Sequence, residues 1–293
     1  MGTQMIHTKK HFGFIGFGLI GGSIARALRA LHSEADIFAY NYYENKPHPK
    51  LEQALTEGTL SRISTCLADF SCCDVLFLCA PVLTNIAYLE KIKPFLSASC
   101  ILTDVGSVKG DIQLAVEKLG LGSRFIGGHP MTGSEKTGYT NSSAEYLKGC
   151  YYILTPDPDS SEEDLDYMTA FVNATGAHCV VMDARTHDRV TAGISHGPHV
   201  ISAALVNAVH SLDDAGDYQL LAAGGFKDIT RISSSSSRMW QNICLTNKDC
   251  ILDFLDVFIA QLTQAKETIR RSDEEALLHF FKEAKEYRDR FTD

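Results

Sequence analysis

The chain has 293 residues, 45% of them hydrophobic, enough for one or two sizeable cores. Its formal net charge of -9 excludes a broad basic surface for nucleic acid, so an anionic ligand must be held by a few local cations. The polar first ten residues form no leader-like apolar stretch, and no apolar run approaches the ~20 residues that span a bilayer; neither secretion nor membrane insertion is expected.

In chain order, residues 12–15 form a short apolar run ending in glycines. Residues 24–31 read as a helix with Ile24, Ala27, Leu28 and Leu31 on one face. Residues 37–40, 74–79 and 101–104 predict further strands, the second of them apolar on both faces. Continuous apolar strands alternating with helices predict a parallel sheet covered on both sides. Three more strands are predicted at 125–128, 151–155 and 178–182. Between the last two, residues 164–174 form an amphipathic helix with Leu165, Met168, Phe171 and Val172 inward, and Gly176 is a natural stop.

Beyond Asp183 the strand signals vanish. Residues 190–209 predict a long buried helix, and 251–269 a helix apolar over much of its circumference. Ser272 and Glu275 have capping-box spacing, which predicts a last helix starting at Ser272. Its apolar face carries Leu277, Leu278, Phe281, Ala284, Tyr287 and Phe291. The expected organisation is an α/β domain over 1–182 and an all-α domain over 183–293. The helical part is small for its apolar surface, which predicts a dimer. No internal repeat is found, and low complexity is confined to the serine run 233–237. Nine cysteines is an odd number, no CxxC pair occurs, and Cys79, Cys100 and Cys179 lie in apolar strands; reduced thiols in a cytoplasmic chain are expected.

Residues 16–21, GFGLIG, match GxGxxG between the first strand and the first helix, the context that a dinucleotide fingerprint requires. Gly16 makes the turn, Gly18 admits a pyrophosphate, Gly21 lets helix and sheet approach, and Leu19 and Ile20 offer free backbone N–H groups. The first domain is therefore expected to be Rossmann-like. The end of the second strand, where an acid would hold the adenine ribose, carries Asn41, with Glu44 slightly later. Asn41 can bond a ribose hydroxyl and repels no 2′-phosphate, yet Lys46 is the one nearby cation and no arginine follows. NAD is the expected cofactor and NADP the alternative. Ala80, Pro81 and Asp104, at the ends of later strands, are expected beside the cofactor.

Two polar loops should open on the same crevice. One is 103–109, TDVGSVK, and the other 127–136, GGHPMTGSEK. His129 suits a base that takes a hydroxyl proton, and Ser107 is expected to hold or orient its imidazole. In the helical part, His196 and His199 lie three apart, with Pro198 between them predicted to kink or restart the helix. Lys227 and Arg231 lie four apart and suit a carboxylate, which Arg binds bidentately. No third ligand accompanies the histidines, so no metal site is expected.

Together these segments resemble the prephenate dehydrogenase family, which includes the arogenate dehydrogenases. The resemblance rests on GFGLIGGS (16–23), TDVGSVKG (103–110), GGHPMTGSEKTG (127–138), ISHGPH (194–199) and GGFKDITRI (224–232), with Trp240 downstream. It implies a Rossmann-like domain, a helical dimerisation domain, and an active site between them. It implies oxidative decarboxylation of prephenate to 4-hydroxyphenylpyruvate in tyrosine biosynthesis. By matching position, His129 accepts the hydrogen bond or proton of the ring hydroxyl, and Ser107 contacts both. Arg231 binds a carboxylate, His199, Lys227 and His196 help hold the substrate, and Glu135 sits at the mouth. Asn41 leaves cofactor choice open. No room is seen for an appended regulatory or mutase domain.

The alternatives are an arogenate dehydrogenase, another hydroxy-acid or imine dehydrogenase of this architecture using Lys227 as its catalytic lysine, and a dinucleotide sensor without turnover. The loop with His129 and Ser107 argues against the last two.

Overall fold

The structure is a computed structural model that describes residues 6–43, 46–133 and 136–291. Its first layer is a parallel sheet of β1 (His11–Ile15), β2 (Asp36–Tyr40), β3 (Arg62–Ile63), β4 (Val75–Leu78) and β5 (Ile101–Asp104), in the order β3-β2-β1-β4-β5. The strands run as apolar stretches because both faces are covered: all of β4 and β5 is buried. Phe14 of β1 stacks on Phe77 of β4 at 4.9 Å, fixing the middle of that core. The helices α1 (Leu19–Leu31), α2 (Pro49–Thr56), α3 (Val82–Ile92) and α4 (Gly110–Lys118) connect the strands. β3 escapes the sequence reading because two residues carry no periodicity.

A second sheet, β6 (Ile126–Pro130), β7 (Tyr151–Pro156) and β8 (His178–Val181), continues from β5 through a parallel bridge between Leu102 and Phe125. It is not wholly parallel, as the strand pattern suggested: β6 pairs antiparallel with β7. The described residues of the 131–150 connection form two short 3-10 turns and no crossover helix, so the chain turns back. β7 and β8 are joined by α5 (Glu162–Ala174) and are parallel, as such a crossover demands.

The remainder is helical: α6 (Ala184–Thr191), a π-turn (Ala192–His196), α7 (Gly197–His210), α8 (Asp217–Leu221), α9 (Gly224–Thr230), a 3-10 turn (Arg231–Ser234), α10 (Ser237–Thr246), α11 (Lys248–Arg270) and α12 (Glu274–Arg288). The region 190–209 is thus not one buried helix. Pro198 stands in the first turn of α7, directly after the π-turn that interrupts the regular helical ladder. Much of the region faces outward in the single chain, with Ile194 62% exposed. The last helix starts one residue later than expected, because Asp273 and not Ser272 caps it, accepting from Ala276 N at 3.0 Å. Ser272 takes a φ of 53° at the corner. On α11, Leu252, Ile259, Leu262 and Ile269 recur at helical spacing and are all exposed. No helix among the described residues is long and apolar enough to cross a membrane.

Candidate active site

The loop after β1 is held by its glycines. Gly16 has φ +81°, and a Cβ there would stand 2.7 Å from Ala80 N, so the ends of β1 and β4 meet only because this residue is glycine. Gly18 looks into open space, with nothing within 4 Å of where a Cβ would be. Gly21 packs α1 against Cys79. The first turn of α1 carries no acid and no side-chain cap, leaving the amides of Leu19 and Ile20 to meet an anion. Asn41, just beyond β2, is half-buried, and its side chain makes no hydrogen bond among the described residues. Ala80 N is tied to Asn85 Oδ1 at 3.1 Å, and Pro81 precedes α3. Open space at Gly18, a bare helix start and a free amide at Asn41 fit a dinucleotide. Glu44 lies outside the described residues.

Asp104 does not join this group as expected. It is fully buried, and its carboxylate takes the Lys109 ammonium and the amides of Gly106 (2.9 Å) and Gly128 (3.2 Å). Both oxygens are engaged within the protein, so the side chain braces two loops and presents nothing to a ligand. Lys109 is equally buried and also donates to Gly128 O at 2.7 Å. Burial pulls its pKa down and Asp104 opposes that.

β6 lies beside β5 and runs parallel to it, so His129 near its end opens on the same crevice. His129 was expected in a loop. It sits within the strand, opposite Ile153 of β7, and is only 9% exposed. Gly128 makes this possible, since a Cβ there would stand 2.6 Å from Asp104 O. The imidazole is held by a residue that the sequence reading did not select. His129 Nδ1 lies 2.8 Å from His187 Nε2, and His187 Nδ1 lies 2.8 Å from Asp188 Oδ1. Ser107 is half-buried on the loop after β5 and has no described bond to that nitrogen. Burial, with His187, Lys109 and His196 adding repulsion, drives the His129 pKa well below the ordinary histidine value, so the ring is an uncharged base.

The helical domain supplies the opposite wall. Buried His196 has its Nδ1 3.0 Å from Asn247 Nδ2, which also donates to Asp188 O at 2.9 Å. An amide N–H facing Nδ1 places the His196 proton on Nε2, which has no partner among the described residues; neither has Trp240 Nε1. Burial pushes the His196 pKa down to about 4. His199 stacks on Trp240 at 3.6 Å, with Nδ1 2.9 Å from Ser195 O. Burial lowers its pKa, the Ser195 bond opposes that, and the nearby Arg231 charge lowers it further. Arg231 and Lys227 are exposed and form no ion pair among the described residues. They stand on a segment moored by Ser202, whose hydroxyl meets Ile229 O (3.0 Å) and Ser233 Oγ (2.6 Å). Ser233, from the serine run, thus serves packing. Glu135 lies outside the described residues. No group of three or more metal-ligating side chains occurs among the described residues.

A buried imidazole, its pKa lowered by burial, beside the strand ends that carry a dinucleotide cradle suits the removal of a hydride from an alcohol carbon while the hydroxyl is held by a base. Fold and site therefore define a dinucleotide-dependent dehydrogenase. Residues 24–181 match the prephenate dehydrogenase nucleotide-binding domain, and residues 183–283 the prephenate dehydrogenase dimerization domain. The chain is 34% identical to the prephenate dehydrogenase of Bacillus subtilis over 94% of its own length and 74% of that protein. The crystal structure of A. aeolicus prephenate dehydrogenase in complex with hydroxyphenyl propionate and NAD+ superposes with a TM-score of 0.88 at 33% identity, covering 95% of this chain and 97% of the other. Synechocystis arogenate dehydrogenase gives 0.84 at 27% identity, covering 96% and 100%. The chain belongs to the prephenate dehydrogenase family.

Proposed function

We propose that this chain oxidises and decarboxylates prephenate to 4-hydroxyphenylpyruvate with NAD, as a homodimer in the cytoplasm. The observation that carries the reading is the place of His129, buried on the strand beside β5 with its Nδ1 held 2.8 Å from His187 Nε2. His129 Nε2 accepts the hydrogen bond of the ring hydroxyl as hydride leaves the same carbon, and Ser107 orients that hydroxyl. Loss of carbon dioxide makes the ring aromatic, so the driving force lies in the substrate. The protein's task is to orient, hold one proton and bind two carboxylates in a dry site.

Arg231 and Lys227 are exposed cations without an ion pair among the described residues, and in an acidic protein they suit the substrate's carboxylates. His196 Nε2 and Trp240 Nε1, donors without a partner among the described residues, add uncharged hydrogen bonds, and His199 lines the same wall. Glu135 belongs to the same set by its place in the motif. Gly16, Gly18, Leu19, Ile20, Gly21, Asn41, Ala80 and Pro81 would hold NAD, which when bound supplies the hydride acceptor. NAD and a hydroxyphenyl acid are the ligands of the A. aeolicus enzyme, which supports both assignments. The dimerization-domain match and the exposed stripe on α11 support a homodimer. Nine free thiols suit a reducing compartment.

The test is formation of reduced cofactor, followed at about 340 nm, with prephenate and arogenate each paired with NAD and NADP. Turnover of prephenate with NAD is expected. Turnover of arogenate alone, the substrate for which the Synechocystis relative is named, or strict use of NADP overturns the specificity while keeping the family chemistry. Cofactor binding without turnover of either substrate overturns the reading.

A further inference from the structure

The mechanism above needs His129 to present a lone pair on Nε2, which requires the ring proton to sit on Nδ1. An isolated neutral histidine has no such obligation, because either nitrogen can carry the proton. The structure supplies the obligation through residues that the reaction never touches. Asp188 is where it begins. Its Oδ1 accepts from Lys109 N at 2.8 Å and its Oδ2 from Gly110 N at 2.7 Å, so the carboxylate caps the start of α4 from the other domain. Both oxygens are thereby fixed as acceptors, and the nitrogen facing Oδ1 at 2.8 Å, His187 Nδ1, must carry a hydrogen. With one ring proton, placed on Nδ1 by that bond, His187 has only an acceptor at Nε2. The nitrogen facing that acceptor at 2.8 Å, His129 Nδ1, must in turn carry the hydrogen. His187 is fully buried, and Asp188 and His129 are nearly so.

We propose that His187 and Asp188 form a positioning relay that locks His129 in its Nδ1–H tautomer, keeps Nε2 free as the base, and disperses the charge that His129 acquires. The proposal rests on His129 being the base of the proposed reaction and adds what makes it competent. The groups facing His129 are His187 from α6, Lys109 from the loop before α4 and His196 from the π-turn. The Lys109 ammonium opposes a positive ring, so the Asp188 carboxylate at the far end of the relay is the counter-charge that this network offers.

The experiment compares wild-type dimer with His187→Leu, His187→Gln and Asp188→Asn. It measures kcat, KM, the pH profile of kcat and the 15N shifts of the His129 ring. Wild type is expected to show His129 protonated on Nδ1 alone. His187→Leu deletes the acceptor; kcat should fall at least about tenfold, toward the about 10²–10⁴ that a general base contributes. KM and cofactor affinity should stay within about threefold. The acid limb of its pH profile should move, and its His129 should populate the Nε2–H form. His187→Gln restores an acceptor and should recover part of kcat. Asp188→Asn offers an N–H to His187 and should invert both tautomers. A folded His187→Leu enzyme with wild-type kcat and an unchanged pH profile overturns the relay. If His187→Leu does not fold, the wild-type spectrum decides: His129 protonated on Nε2 overturns the proposal. Failure of wild type to turn over prephenate or arogenate overturns the function itself, a distinct outcome.

Discussion

The two halves of the molecule solve burial differently. In the α/β half, apolar side chains such as Phe12, Phe14, Phe77 and Phe171 are sealed in one continuous core. In the helical half, the buried hydrophobic residues are few, among them Ala192, Ile243 and Ile251, while large ones from Leu212 to Phe291 stand exposed. The first half owns its stability. The second carries apolar area that a single chain cannot cover, the mark of a surface completed by another copy. The proposed base, His129, belongs to the first half, while His187 and Asp188, which hold it, and the proposed substrate cations Lys227 and Arg231 belong to the second.

The sharpest way to break this contrast is Ile259→Glu, in the exposed stripe of α11. A dimer buried there meets an unpaired charge costing about 3–5 kcal/mol, entered twice by symmetry. Sedimentation should show monomer, with turnover lost and cofactor binding largely kept. A dimer of unchanged affinity would place the interface elsewhere.

Lys109→Met attacks the seam instead. It strips Asp104 of its ammonium partner within the core, and removing one member of a buried pair costs about 3–5 kcal/mol. Chemical denaturation should show that loss, together with weakened attachment of β6 at Gly128. A loss below about 1 kcal/mol would mean that the backbone amides on Asp104 suffice.

Acid should act more gently, and chiefly through the seam. His129 and His196 both have depressed folded-state pKa values, mainly through burial. In the unfolded chain they protonate near ~6.5. Their contribution to stability is complete above that pH and is lost as pH falls toward the folded values, about 4 for His196. For His196 alone the loss is on the order of 3 kcal/mol by pH 4. A Tm that is flat from pH 7 to 4.5 would contradict the buried, uncharged state of both rings.

The sequence makes legible what is periodic or local. Strands apolar on both faces, the glycine turn around Gly16 and the stop at Gly176 are all local matters. His129 stands out because two glycines and a proline flank it. Its partners do not. His187 lies 58 residues away, on a helix whose buried side carries His187, Asp188 and Thr191. A polar face turned inward reads like a polar face turned to water, so nothing in the sequence of α6 marks His187 and Asp188 as buried. Asp104 was misjudged for a related reason: a carboxylate at a strand end suits a ligand until Lys109 is seen to fold back upon it. Ser272 lost the cap to Asp273 because both residues are good caps and backbone geometry chose between them.

The π-turn at Ala192–His196 has a consequence for how this enzyme can change. It accommodates one more residue than a regular helical turn, and so shifts the phase of everything that follows by about 100°. His187 and Asp188 lie before the shift, and His196 and His199 after it. Point substitutions adjust each group in place, but their angular setting is written in the residue count. A single deletion within 192–195 would restore an ordinary helix and turn the substrate wall away from the relay. Lineages that keep this chemistry should therefore tolerate exchange of side chains here far better than a change in length.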